Sequence, residues 1–537
     1  MNRLHSLLRR LTDASRDDRG FAMVAVIGVM AITGLFLAAG FAAADGDLPI
    51  VQNSKERKRA YAAAEAGLAY YRYQLAQDND YWTHCDNVPG PATGVPAPIT
   101  QAGATNRNWR TLPGSDARYT IELLPAKGFP ACVESDERTM LEKSTGTFRI
   151  RATGQAGGVT RSIVATFRRA SFLDYLYFTD FETTDPAAYP TAAQRALADL
   201  NCANKYRADR RGCQEIQFRE PDALKGPLHT NDDLLTCDKP IFGRDDNDLV
   251  EVSGPSPGYH TACSAVPPTF KGTFKYDQQP LSVPTSNREL KTVTGADKYV
   301  GRTTIRLNAD KYTAVLQDGS SVTKAIPTAG VIYVDNGTNC TGKVPPVIAT
   351  YTESADCAVV YVSGTYSKSL TIGSAGDIVI RPPANANDSN GDIIHTNDAI
   401  LGLIAQEFIR YWHPVTNSVW VGGSRGCDNA GGANPYMKTV RIDAAMLALD
   451  HSITTDNFNC GDRLDNLTIN GALAQPYRGT VGSTGTDPRD GRPNQSGFIK
   501  DYNYDERLRF RSPPYFLTPV DAAWKVIRTN EQVPAAD

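Results

Sequence analysis

The sequence predicts a mainly β protein with a long N-terminal α-helix, followed by a small antiparallel sheet and then a right-handed parallel β-helix. Three observations lead to this fold class. Residues 21–44 carry no charged side chain, and apolar residues then recur at helical spacing. Residues 146–168 alternate apolar and polar side chains, as paired antiparallel strands do. Beyond residue 226, short apolar runs separated by Gly, Asn and Asp are typical of stacked coils.

The uncharged run Phe21–Ala44 is long enough to cross a membrane. At ~1.5 Å per residue it forms ~36 Å of helix, against a hydrocarbon core of ~30 Å. The preceding residues 1–20 carry more Arg than Asp, which favours a cytoplasmic location for them. We therefore expect a single-pass anchor in the cytoplasmic membrane, with the rest of the chain on the outer side.

A competing interpretation of this segment is a secretory signal. Ala42-Ala43-Ala44 before Asp45 has the small-x-small form of a signal peptidase site, which would release a secreted protein that starts at Asp45. The apolar run exceeds the ~7–15 residues usual for a signal peptide. The helical pattern that follows would also be unexplained, so the membrane anchor is favoured.

The helical pattern continues well past the uncharged run. Tyr61, Ala64, Leu68, Tyr71 and Leu75 recur at spacings of three and four, which places them on one face of a helix. The sequence therefore predicts one N-terminal helical region over residues 21–78.

The junction Gly20-Phe21, with basic residues before it and the apolar run after it, resembles the cleavage site of type IV prepilins. The segment 63–68 (Ala-Ala-Glu-Ala-Gly-Leu) is similar to the second half of the long helix of minor pilins. This resemblance covers roughly the first 80 residues. It implies that a prepilin peptidase cuts after Gly20 and methylates Phe21. It also implies other pilins and the pilus assembly machinery as partners.

Ala25 departs from the pattern of that family. Most prepilins carry a glutamate at this fifth mature position, where it neutralises the buried N-terminal amine of a neighbouring subunit, because an unpaired charge in an apolar core is costly. By resemblance, its absence suits a minor pilin or pseudopilin at a filament tip, acting in initiation or adhesion. The alternative is that Ala25 reflects drift in an ordinary anchor.

The ten cysteines all follow the predicted anchor, and no two have Cys-x-x-Cys spacing, so zinc ribbons and thioredoxin-like sites have no support. An even number beyond the membrane indicates disulfides in an oxidising compartment. Sequence alone leaves the connectivity open, and free buried thiols remain an alternative. The simplest pairing joins sequence neighbours: Cys85 with Cys132, Cys202 with Cys213, Cys237 with Cys263, Cys340 with Cys357, and Cys427 with Cys460.

The remaining chain divides into three predicted parts. Residues 79–170 complete a pilin-like β module, residues 171–225 form a connector, and residues 226–537 form a β-solenoid head. The repeat of His-Thr-Asn-Asp at 229–232 and 395–398 supports a solenoid only weakly. This region resembles the uncharacterised β-solenoid heads of actinobacterial pilus-type proteins, which implies architecture and not chemistry. Aromatic residues over 502–524 are expected to cap the last coil, or else to bind sugar or protein by stacking.

The sequence predicts no catalytic, cofactor or metal site. His229 and His395 each precede an Asn-Asp pair by two residues, but such residues are common at solenoid corners, so packing is favoured. Segments 388–392 and 245–248 have the oxygen ligands of a calcium site, yet simple turns are favoured. Three carboxylates in strand-rich segments are the weak candidates for a polysaccharide-cleaving β-helix: Asp377, Asp443 and Asp450.

The net charge of −3 gives no basic surface for nucleic acid, so we exclude that class of partner. The sequence thus predicts a non-enzymatic minor pilin or pseudopilin of a type IV pilus or type II secretion-like filament, displayed at the cell surface after assembly. A surface ligand or polysaccharide is a candidate partner of the head. Two alternatives remain: an anchored or secreted β-helix protein that binds or cleaves polysaccharide, and a passive envelope protein without a filament role.

Overall fold

The computed structural model describes residues 21–78, 80–85, 97–104, 106–142, 145–263, 265–341, 346, 354–382, 391–421, 424–429, 437–461, 463–486, 493–520 and 523–535. Within these ranges, the side chains of residues 21, 22, 24, 25, 39–51, 137, 417–421, 424–426, 429, 484–486 and 493–495 are not described. The predicted leader with Gly20, and most of the candidate calcium segment 388–392, lie outside the described residues.

The helices are α1 (Phe21–Gln77), α2 (Ala192–Cys202) and α3 (Glu289–Thr292). The first strands are β1 (Ile99–Gln101), β2 (Arg110–Thr111), β3 (Arg118–Leu124), β4 (Thr147–Ala156), β5 (Val159–Arg169), β6 (Tyr177–Thr184), β7 (Phe218–Arg219), β8 (Ala223–Lys225), β9 (Leu228–Thr230), β10 (Leu234–Cys237), β11 (Ile241–Phe242), β12 (Leu249–Val252), β13 (Tyr259–Thr261), β14 (Thr269–Phe270) and β15 (Thr273–Lys275). The others are β16 (Asp297–Val300), β17 (Thr303–Ala309), β18 (Lys311–Val315), β19 (Ser321–Ala325), β20 (Val331–Asp335), β21 (Val360–Tyr366), β22 (Leu370–Ser374), β23 (Ile378–Ile380), β24 (Ile393–His395), β25 (Leu401–Ala405), β26 (Ile409–Tyr411), β27 (Val415–Val421), β28 (Ser424–Asn429), β29 (Val440–Ala448), β30 (Ile453–Thr455), β31 (Arg463–Arg478), β32 (Gly482–Thr486), β33 (Pro493–Tyr504) and β34 (Trp524–Gln532).

The C-terminal part of α1 packs on a small sheet with the strand order β1-β3-β4-β5-β34, in which β2 also pairs with β3. Ala60, Ala63 and Ala64 are fully buried at this contact. Gly154 of β4 faces them, and a Cβ there would overlap the backbone of Ala60 and Ala64. Small residues on both elements thus allow the helix to approach the sheet closely. Further along the helix, the buried Tyr71 packs against aromatic rings of β4 and β5.

Among the described residues, a 23-stranded sheet forms the larger part of the molecule. One parallel ladder, ladder A, runs through β16, β20, β22, β25, β29, β31, β6, β9, β12 and β15 in that spatial order. A second, ladder B, runs through β17, β21, β24, β29, β31, β33, β8, β11 and β14. Strands β21, β23, β26 and β30 form a third parallel ladder. Apolar side chains of all three ladders belong to one buried cluster, which fits a parallel β-helix.

The spatial order of the ladders differs from the order of the chain. The chain enters at β6, in the middle of ladder A, and winds outward to β15 at one end. The lateral segment, residues 276–296, then runs along the outside of the ladders. Within it, Asn287 donates hydrogen bonds to the carbonyl oxygens of Ser374 and Ile404, 2.7 and 3.1 Å away. From β16, at the other end, the chain winds back to the middle.

The predicted fold class is therefore wrong in several respects. The small sheet is mixed, because β1 and β3 are parallel. Only about 26 residues at the C-terminal end of α1 form a continuous stretch with described side chains that packs on the small sheet, so the expected long packed helix is not shown. The large sheet does not simply follow the small one: β6, within the expected connector 171–225, lies inside ladder A, and β34 leaves the expected solenoid to pair with β5. No helix in the described part of the chain is both long and apolar enough to cross a membrane.

The expected C-terminal cap also lies elsewhere. Pro513, Pro514 and Phe516 cover Gly402 and Gly330 on the side of ladder A, where an added Cβ would lie 2.8 Å from the Phe516 ring and from the Pro514 side chain, respectively. Small residues at these positions let the segment lie flat against the strands. Of the expected cap residues, Pro513, Pro514 and Phe516 therefore cover the flank of the large sheet, whereas Tyr502 and Tyr504 lie within β33 and Trp524 lies in β34 of the small sheet.

The contact between α1 and β4 is testable. Gly154→Ala should lower the free energy of unfolding by about 1–3 kcal/mol, because the methyl group forces the helix away from the sheet. The measurement is urea unfolding of the full chain in mild detergent, followed by tryptophan fluorescence, to which Trp82 contributes from its contact with Phe148 of β4. Gly34→Ala is the matched control, since nothing lies within 4 Å of a Cβ there. An equal midpoint for Gly154→Ala and the parent chain would contradict the close contact.

Candidate functional site

The N-terminal part of α1 presents an apolar surface. Met23, Met30 and Phe36 are 72%, 69% and 74% exposed, and the other large apolar side chains described between residues 26 and 37 are also exposed. Phe21 is the first residue of the helix, although its side chain and that of Ala25 are not described. The same helix thus has an apolar, uncovered part and a part that is docked on the small sheet.

The ten cysteines form five disulfides, which join the neighbouring pairs of the simplest pairing. Their Cα atoms lie 4.5–5.8 Å apart. The bond Cys85–Cys132 belongs to the small sheet and its helix, and Cys202–Cys213 ties the C-terminal end of α2 to the chain before β7. Each of the five disulfides therefore joins a cysteine to the next cysteine along the chain.

The predicted histidine candidates are held in ordinary packing contacts. His229 is buried, with Nδ1 3.3 Å from Glu251 Oε2 and Nε2 3.1 Å from Asn231 Oδ1. Its ring also stacks on Phe178. His395 is half-buried, and its Nε2 lies 3.7 Å from Asp443 Oδ2. The structure thus places the two histidines in separate contacts rather than in one site.

The candidate carboxylates are also dispersed. Asp377 lies 3.2 Å from Arg410 Nε, and Asp443 pairs with Arg441 Nε at 2.9 Å. In the segment 245–248, the buried Asp248 accepts hydrogen bonds from Arg244. Burial tends to raise the pKa of Asp248, but these hydrogen bonds outweigh burial and lower it. Guanidinium groups thus occupy oxygens that a calcium ion would need.

A cavity of about 470 Å³ lies where the lateral segment crosses ladder A. Residues 280–285 form its roof, and Asn231 fixes this roof through two hydrogen bonds with the backbone of Leu281, at 2.8 and 2.9 Å. The walls come from β6 and the turn after it, from α2, from the chain after β29, and from β31. The polar and aromatic lining includes Asp180, Phe181, Asp185, Asp199, Tyr206, Asp450, His451 and Tyr477.

His451 in this cavity lies between two carboxylates. Its Nδ1 is 3.2 Å from Asp185 Oδ2, and its Nε2 is 3.1 Å from Glu407 Oε2. The ring stacks on Phe408, with centroids 4.4 Å apart. Burial alone would lower the pKa of His451, but the charges and hydrogen bonds of Asp185 and Glu407 outweigh it and raise that pKa to about 10. The imidazole is therefore a cation at neutral pH.

Among the residues of this cavity, the sequence patterns singled out only Asp450 and Asn231, the latter as part of the 229–232 repeat. Asp185 and His451 are 266 positions apart, and no local motif marks either of them. Their proximity follows from β6 lying beside β31, an arrangement that the expected chain order of the coils does not include.

No family model matches the chain, and no curated protein matches it. Among solved structures, it is similar to the competence-associated pilin ComZ from Thermus thermophilus, with 12% sequence identity and a TM-score of 0.33. The match covers 90% of this chain and 98% of that one. At this identity and TM-score the similarity carries no argument about function.

The ion pairs of His451 predict a specific pH dependence. Its pKa rises from 6.5 to about 10 on folding, so its contribution to stability is complete below pH 6.5 and is lost as the pH rises towards 10. We expect the loss of stability caused by His451→Gln to shrink by about 1.4 kcal/mol per pH unit between about pH 7 and pH 9.5.

Urea unfolding of the parent chain and the variant at each pH measures this difference. His84→Gln, at a half-buried histidine of the small-sheet region whose Nε2 lies 3.6 Å from Asp78 Oδ2, is the control. A difference between parent and His451→Gln that stays constant over this pH range would show that His451 is not held as a cation.

Proposed function

We propose that this chain is a non-enzymatic subunit of a type IV pilin-like filament, of the minor-pilin or pseudopilin kind. In this proposal the precursor is held in the cytoplasmic membrane by the apolar part of α1, is cut after Gly20, and carries the large sheet on the cell surface. Other pilins and the assembly machinery are its partners.

The observation that carries this proposal is the division of α1 into two unlike parts. Its C-terminal part docks on the small sheet through Ala60, Ala63 and Gly154, so it is fixed to the rest of the protein. Its N-terminal part exposes large apolar side chains from Met23 to Leu37. Each Å² of such surface left in water costs roughly 25 cal/mol, so this part requires an apolar surrounding. A lipid bilayer before assembly and neighbouring helices after it would both supply one.

Two further features support a tip position over a place in the shaft. The large sheet and its coverings make a bulky head, which would crowd a closely packed shaft. Ala25 also lacks the carboxylate that would neutralise the N-terminal amine of a neighbouring subunit. A subunit of this kind can begin a filament but is poorly suited to joining beneath another subunit.

The mature N-terminus distinguishes this proposal from its rival. Mass spectrometry of the membrane and sheared-surface fractions should find a chain that starts at N-methylated Phe21. Ala44→Arg removes the small-x-small signal and should leave that start unchanged, whereas Gly20→Arg should leave the precursor uncut. A parent chain that starts at Asp45, and whose processing is blocked by Ala44→Arg alone, would overturn the filament proposal in favour of a secreted protein.

A further inference from the structure

The cavity under residues 280–285 is electronegative. Asp180 lines it, and the exposed Asp199 and Asp450 lie at its edge. The His451 imidazolium is shared between Asp185 and Glu407, so that group carries one net negative charge. Among the described residues that line the cavity there is no Lys or Arg. Negative charge of this kind attracts cations and raises their local concentration.

Asp180 is the most enclosed of the three aspartates. Its Oδ1 accepts hydrogen bonds from two neutral donors, Tyr206 Oη at 3.1 Å and Asn231 Nδ2 at 2.9 Å. Burial raises the pKa of Asp180, and these hydrogen bonds only partly oppose that effect. A cationic ligand would supply the opposite charge that the surrounding protein provides only in part.

The other walls suit the carbon skeleton of an organic ligand. Tyr206 and Phe181 have ring centroids 5.1 Å apart, and aromatic faces attract ammonium groups. Pro280, Val283 and Pro284 of the roof offer apolar contacts for methylene groups. The volume of about 470 Å³ lies within the ~300–1,000 Å³ range of small-molecule sites, well above what a bare metal ion requires.

We propose that this cavity binds an aliphatic organic cation with more than one ammonium group, of the polyamine class. One ammonium pairs with Asp180 beside Tyr206, the methylene chain lies under the proline-containing roof, and further ammonium groups meet Asp199 or Asp450 at the edge. The site does not depend on filament assembly, because all of these residues belong to the large sheet and its coverings.

Isothermal titration calorimetry with spermidine and the full chain in mild detergent tests the proposal. We expect saturable binding of one spermidine, weakened by added salt. Asp180→Asn should weaken binding about 10- to 100-fold, because it removes the charge that pairs with the ammonium group. The amide oxygen of the variant can still accept from Tyr206 and Asn231, so the fold should persist. Asp246→Asn, an exposed position outside the cavity, makes the same change in net charge and should have no effect.

Triethylene glycol, a neutral chain of similar length, and Mg²⁺ are the comparison ligands. Absence of spermidine binding, or equal binding by the parent and Asp180→Asn, would overturn the proposal. Equally strong binding of the neutral chain, or displacement of spermidine by millimolar Mg²⁺ at constant ionic strength, would also overturn it. If Asp180→Asn does not fold, Asp450→Asn replaces it, with the same expectation of weaker binding than in Asp246→Asn.

Discussion

The last strand in the described part of the chain, β34, pairs with β5, and this contact holds both the entry to and the exit from the large sheet at the small sheet. The pairing extends from Trp524 opposite Arg169 to Gln532 opposite Ser162. The chain therefore leaves the small sheet after β5 and must return to the same edge strand at its end. In the structure, the chain enters ladder A at β6, in the middle, and the lateral segment later crosses from β15 to β16 at the far end.

The junction between the two sheets is consolidated by charge and aromatic packing. The buried Arg168 donates a hydrogen bond to the carbonyl oxygen of Leu508 at 3.1 Å and pairs with Asp174 at 2.5 Å. Trp524 packs against Phe148, with centroids 4.7 Å apart. Residues that precede the large sheet in sequence thus contact residues that follow it. Through this junction a large head is fixed to the sheet on which α1 docks, as a surface-displayed subunit would require.

Sequence patterns predicted the local elements well. Of the stripe from Tyr61 to Leu75, the structure buries Ala64, Tyr71 and Leu75 against the small sheet, half-buries Leu68 and leaves Tyr61 exposed. The alternation around Gly157-Gly158 corresponds to the hairpin of β4 and β5, in which both glycines have positive φ. Local periodicity predicts helices and hairpins because these elements form between residues only a few positions apart. The apolar runs near Val331, Val360 and Leu401 likewise became strands of the ladders.

Local sequence patterns do not predict the spatial order in which the strands stack in the ladders. Many strands of the ladders are short apolar runs that resemble one another, so local sequence does not indicate which run stacks on which. The contact between β6 and β31 joins residues nearly 300 positions apart, such as Tyr177 and Leu473. The cavity follows from that contact, and sequence reasoning therefore missed His451 and Asp185. The mixed character of the small sheet was missed for the same reason, since β1 is too short to show its direction.

Hydrogen exchange of the backbone amides in β34, measured by mass spectrometry on the full chain, tests this account most directly. If β34 is the edge partner of β5, the amides of residues 525–531 that bond to β5 should exchange far more slowly than those of a free peptide. Protection there should resemble that of β5 itself, because pairs on one ladder open together. Exchange at the rate of an unstructured tail, while β5 stays protected, would show that the end of the chain is not held at the small sheet.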